Sequence, residues 1–148
     1  MSTNAKQVAI LKQLQADSLV FFMKVHNFHW NVKGKDFPQT HKVTEEIYTI
    51  FSNIFDDLAE RIAQLGDTPL VTLTEILKTA QIKEDSNTSF RSESVMKNIL
   101  ADYQYFLETF RKLSEIANAT QDIATQAYAD SQISFLEKSV WMLNAQLA

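Results

Sequence analysis

The 148 residues include no cysteine. That excludes a disulfide framework and any thiolate chemistry, nucleophilic or metal-binding, and it suits a protein that meets oxidants. Only two glycines and two prolines occur. A sandwich or barrel needs many turns, so such sparse punctuation argues for a few long helices. No apolar run approaches the roughly 18 residues that would suggest a membrane span. The polar start, Met1 to Lys6, lacks the basic and apolar regions of a signal peptide, so the expected setting is the cytoplasm. Basic excess is missing too. A net charge of −4 at pH 7 opposes nucleic-acid binding through bulk charge and favours cations. What is present is 45% hydrophobic residues, enough for one globular domain over residues 1–148 with a sizeable core.

Four long helical segments and one short one are expected. The first covers residues 4–33, apolar at Val8, Leu11, Leu14, Phe22, Val25 and Val32. Its centre, Leu19-Val20-Phe21-Phe22-Met23, is apolar all round, the pattern of a helix buried on more than one side. Gly34 and Pro38 mark the break that follows. The second covers residues 38–65, where Val43, Ile47, Ile50, Phe51, Ile54, Leu58, Ile62 and Leu65 form an amphipathic stripe. Gly66 fits its stop, with Pro69 beyond. Thr72-x-x-Glu75 is a capping box for a short helix over residues 74–80. Residues 83–94 are charged and Ser/Thr-rich and read as a loop. The third long helix covers residues 92–118 and the fourth 122–147, with a break placed near Tyr128. Two antiparallel hairpins joined by a long crossover predict an all-α, ferritin-like four-helix bundle with a short extra helix in the crossover.

Ligand-type residues cluster in the first half. Two of the three histidines, His29 and His41, flank the Gly/Pro turn, and Asp56 and Glu60 follow at i and i+4 on the second helix. On a wheel of 100° per residue, Asp56 falls opposite the apolar stripe, with Glu60 and Glu45 also on the far side and His41 toward it. Paired carboxylates there repel unless a cation lies between them. Imidazole plus carboxylate suits iron, manganese or zinc, and spacing alone does not choose among them. The plainer alternative is a solvated acidic face and packed histidines. One absence is informative. A di-iron centre inside a bundle takes Glu-x-x-His from two helices, and this chain has no Glu-x-x-His anywhere. Any site must therefore use the first two helices, on the outer face of the second, where a neighbouring subunit can complete it.

The run His26-Asn27-Phe28-His29-Trp30-Asn31-Val32-Lys33-Gly34, followed by Phe37 and His41, resembles the Dps family of bacterial mini-ferritins. So does Phe55-Asp56-Asp57-Leu58-Ala59-Glu60-Arg61-Ile62-Ala63-Gln64-Leu65-Gly66, and the likeness continues to Ser139-Val140-Trp141-Met142-Leu143. It is nearest to the neutrophil-activating-protein branch. The resemblance implies a hollow dodecamer that oxidises Fe(II), preferably with hydrogen peroxide, stores ferric mineral and protects the cell and its DNA. It implies a ferroxidase centre at a two-fold interface, with His29 and His41 from one subunit and Asp56 and Glu60 from its partner. Zinc is a second metal for the same ligands. Trp30 matches a tryptophan near the iron that takes part in electron transfer or radical quenching, with core or interface packing as the plainer role. His26 is assigned a supporting role, and Asp57 and Glu45 either orient ligands or are solvated. Asp122 and Asp130 are candidates for an acidic iron-entry pore. Many members also coat DNA through a lysine-rich tail. Here only Lys6 lies near the N-terminus and residues 144–148 hold no basic residue. DNA binding is thus the alternative function rather than the leading one. A helical bundle without chemistry, of a cytokine-like kind, is the third reading.

Overall fold

The computed structural model describes residues 3–148. It is all-α, with α1 Thr3–Asn31, α2 Phe37–Gln64, the short α3 Leu73–Thr79, α4 Ser92–Ala119 and α5 Ile123–Leu147. This is a four-helix bundle with one extra helix in the α2–α4 crossover. No described helix is long and apolar enough to cross a membrane. Backbone contacts divide the chain into residues 12–95 and a second unit of residues up to 11 with 96–148.

The first unit carries the ligand-type residues. Its α2 buries Thr40, Thr44, Ile47, Phe51, Ile54, Leu58 and Ile62, which recur every three or four residues as a core-facing stripe requires. Val43, expected in that stripe, is 40% exposed. Threonines take the inner line at this end because their hydroxyls find partners there. Thr44 Oγ1 donates to the Thr40 carbonyl at 2.7 Å, and Thr40 Oγ1 meets Ser92 Oγ at 2.7 Å. Phe51 is fully buried and lies edge-on to Phe21 of α1, centroids 4.6 Å apart.

α2 stops where Gly66 adopts φ +85°. The Gly66 amide donates to the Ala63 carbonyl and the Asp67 amide to Ile62, the paired bonds of a Schellman stop. α3 opens as its capping box requires on one side, with Thr72 Oγ1 accepting from the Glu75 amide at 3.2 Å. The return bond from Glu75 reaches the amide of Val71 rather than that of Thr72. After α3, the buried Asp17 of α1 accepts from the Gln81 and Ile82 amides at 2.6 and 2.9 Å. An isolated parallel bridge, Val32 to Phe90, then ties the end of the crossover to the end of α1.

In the second unit α5 is continuous from Ile123 to Leu147, so the break placed near Tyr128 is not present. The segment contains neither proline nor glycine, the usual causes of a kink. Asp122 caps α5, accepting from the Thr125 amide at 3.1 Å, and also accepts from Gln7 Nε2 at 2.7 Å. Ser114 Oγ donates to Asp130. The apolar centre of α1 also departs from expectation, since Met23 is 55% exposed.

Candidate metal centre

The turn between α1 and α2 brings His29 and His41 together. The amide of Lys33, which would continue α1 by bonding the His29 carbonyl, instead donates to Phe90 at 2.8 Å. That leaves the His29 carbonyl as one of the orphan acceptors at a helix C-terminus. Gly34, at φ +131°, turns the chain back, and its carbonyl accepts from the Phe37 amide at 3.1 Å. One turn into α2, His41 Nδ1 reaches the orphan His29 carbonyl at 2.9 Å. The relation is reciprocal, because His29 Nδ1 lies 2.7 Å from the His41 carbonyl. The two rings stack, centroids 3.6 Å apart and planes 15° from parallel.

This geometry fixes the chemistry of both imidazoles. A carbonyl only accepts, so each Nδ1 must carry the proton. Each Nε2 of the neutral ring is then the lone-pair nitrogen, free to bind a cation. Thr44 Oγ1 lies 3.2 Å from His29 Nδ1 and reinforces the same tautomer. Burial holds the His29 pKa below its ordinary value, partly opposed by the bond to the His41 carbonyl. His29 is therefore biased toward the neutral, ligand-competent form.

Two residues framing the pair escaped the sequence reading. Thr44 and Tyr48 lie three and seven residues after His41, on the same face of α2, and that spacing was the available signal. Tyr48 stands edge-on to His29 with centroids 5.2 Å apart, and stacks on His26 at 3.7 Å. His26 Nδ1 lies 2.7 Å from the Phe22 carbonyl. Trp30 is 57% exposed and is not a core residue. Its ring lies 5.3 Å from His26, and it lines an apolar groove of about 590 Å³ with Met23, Leu73 and Leu77.

Asp56 and Glu60 are exposed on α2, as are Asp57 and Glu45. Fifteen residues of helix separate His41 from Asp56, about 22 Å at 1.5 Å per residue. No pair of side chains spans that distance. Accordingly, no group of three or more His, Cys, Asp or Glu in the described chain is placed to hold a metal ion. The chain carries an imidazole pair and a carboxylate pair as two separated halves.

A model of the ferritin-like domain matches residues 8–148. A DNA protection during starvation protein of Helicobacter pylori strain J99 is 56% identical over 143 residues, 97% of this chain and 99% of that one. The chain belongs to the Dps family of ferritin-like proteins. Solved structures superpose closely. The crystal structure of Helicobacter cinaedi CAIP has a TM-score of 0.95 at 55% identity, covering 96% of this chain and 99% of that one. A Dps protein of Vibrio cholerae O1, described as a member of a broad superfamily of ferritin-like diiron-carboxylate proteins, has a TM-score of 0.94 at 38% identity. That match covers 99% of this chain and 91% of the other.

Proposed function

We propose that the chain is the single-domain subunit of an iron-storing ferroxidase. It oxidises Fe(II) with hydrogen peroxide or oxygen as acceptor and keeps the ferric product inside a dodecameric, cytoplasmic cage. His29 and His41 of one subunit and Asp56 and Glu60 of a second hold the iron, which is substrate and cargo. Zinc competes for the same ligands. Trp30, whose ring lies 5.3 Å from that of His26, serves as an electron donor that quenches stray oxidising equivalents.

The observation that carries this reading is the reciprocal imidazole lock. It commits both Nδ1 atoms to backbone carbonyls and leaves both Nε2 atoms for a cation, and no other ligand group of the described chain completes the set. Nitrogen and carboxylate oxygen without thiolate is a donor set that Fe(II) accepts. A two-fold contact supplies the missing half, since two antiparallel copies of α2 crossing near residues 48–49 bring His41 of each toward Asp56 of the other. Exposed apolar side chains on the same unit, Met23 at 55%, Val71 at 74%, Leu73 at 70% and Leu77 at 54%, suit such a contact.

Within this reading the two imidazoles bind through Nε2 while their Nδ1 protons stay on the opposing carbonyls. Two Fe(II) ions give one electron each to hydrogen peroxide, which takes up two protons and leaves as two waters, so no hydroxyl radical is released. Removing both reactants of that radical chemistry protects DNA, in keeping with the name of the Helicobacter pylori relative.

Stopped-flow oxidation of Fe(II) by peroxide tests the assignment. The His41→Ala and Asp56→Ala proteins are each expected to fall close to the protein-free rate. Equal rates in both variants and the wild type would sink it.

A further inference from the structure

The imidazole pair is held from one more side than the hydrogen bonds alone provide. His29 has one ring face against His41 and its Nδ1 edge on the His41 carbonyl and Thr44. Tyr48 adds a further contact, its ring standing perpendicular to that of His29, at 89° and 5.2 Å. Tyr48 is itself fixed. One side of its ring stacks on His26 at 3.7 Å and 22°, and Phe22 meets it edge-on at 5.8 Å. His26 cannot swing away, because its Nδ1 is bonded to the Phe22 carbonyl one turn back and Phe22 packs against it at 4.5 Å.

We propose that Tyr48 is a positioning residue for the metal-binding pair. Its ring, braced by His26 of α1, sets the rotation of the His29 imidazole and so the direction of the His29 Nε2 lone pair. This rests on the reading of His29 as a ligand. The physical reason is a degree of freedom. A hydrogen bond at Nδ1 fixes which nitrogen carries the proton, but the ring can still rock about that bond, and the final torsion of histidine is broad. A perpendicular aromatic wall removes that rocking. Contact is through ring edge and face, so the aromatic ring matters and the phenolic hydroxyl does not.

Co(II) is a suitable probe, because its ligand-field bands report ligand geometry without turnover. Full-length assembled protein is titrated with Co(II), for wild type, Tyr48→Phe, Tyr48→Leu, His26→Ala and His29→Ala, after helicity and assembly size are checked. Supports of metal-bound histidines typically contribute about 10- to 100-fold in affinity. Tyr48→Leu is expected to weaken binding by about 10-fold or more and to shift the bands. Tyr48→Phe keeps wild-type affinity and spectrum. His26→Ala, which leaves α2 untouched, loosens Tyr48 and gives a smaller loss in the same direction, so the proposal stands testable even where Tyr48→Leu fails to assemble. Wild-type binding and bands in both Tyr48→Leu and His26→Ala, with binding lost in His29→Ala, overturn the role of Tyr48. Equal losses in Tyr48→Phe and Tyr48→Leu overturn it as well, because the hydroxyl would then be responsible. Unchanged binding in His29→Ala overturns the ligand reading itself.

Discussion

If the imidazole pair and the carboxylate pair work only in trans, two inactive variants must rescue each other, and by a calculable amount. His41→Ala removes one half of the centre and Asp56→Ala the other. The two positions lie about 22 Å apart on one helix, so neither substitution disturbs the other half on its own chain. Alone, each variant has a fault in every centre. Let the two be dissociated, mixed in equal amounts and reassembled. A two-fold contact uses the same patch on both subunits and creates two equivalent centres. Half of the two-fold pairs are mixed. In each mixed pair one centre combines both faults, and the other takes His41 from the Asp56→Ala chain and Asp56 from the His41→Ala chain. Half of one half leaves about a quarter of all centres intact. Peroxide-driven oxidation of Fe(II) should therefore recover to about a quarter of the wild-type rate. A centre built within one chain predicts no recovery at any mixing ratio. No recovery in assemblies shown by native mass spectrometry to be mixed would refute the split of the ligands.

Acid should weaken the centre late. Burial holds the His29 pKa below the ordinary histidine value of about 6.5, so the neutral ligand form persists below that pH. The His29 contribution to iron uptake is expected to persist through pH 6.5 and to be lost only beneath it. A fall centred above 6.5, or no fall by pH 5, would contradict this. The sign carries to stability as well. The unfolded chain takes up that proton first, so the His29 contribution is complete above about 6.5 and is lost as pH drops through the folded value. Gly66→Ala should cost about 1–2 kcal/mol, since Gly66 sits at φ +85° with nothing within 4 Å of an added Cβ. That is a drop of roughly 2–8 °C in the melting temperature, read by circular dichroism. Phe51→Ala empties a fully buried ring site against Phe21 and should cost about 3–5 kcal/mol, against less than about 0.5 kcal/mol for the exposed Asn53→Ala. DNA mobility shifts at neutral pH should be absent at physiological salt, given the net charge of −4. A shift that survives salt would restore DNA as a direct partner.

The fold was legible because so little interrupts it. The stripe from Ile47 to Ile62 fixes the inner face of α2, and Gly66 and the Thr72–Glu75 box mark its end and the start of α3. The misreading of α1 has a physical cause. Met23, Leu73, Leu77, Ile123, Trp141 and Met142 are apolar yet exposed on the isolated chain. Periodicity alone does not say which apolar residues a chain leaves exposed. The apolar centre of α1 was read as core for that reason. At the candidate centre, residue types were legible and their mutual bonds were not. That His29 and His41 each donate to the other's carbonyl depends on where α1 ends, and that in turn depends on Phe90 capturing the Lys33 amide from nearly sixty residues away.

Under the proposed function one helix serves two centres. α2 acts as a ruler, with His41 near its start, Asp56 and Glu60 four to five turns later, and the bracing Tyr48 close to the midpoint between His41 and Asp56. Facing of residues along a helix repeats every 3.6 positions. Fifteen residues advance it by four turns and about 60°, so the two halves look out over neighbouring, not identical, directions. In the proposed centre the spacing from 41 to 56 sets how far along α2 a second copy's imidazoles must lie. The exposed carboxylates repel each other at i and i+4 on a bare helix, and in the proposed centre a cation held opposite them by the second copy's imidazoles reverses that sign.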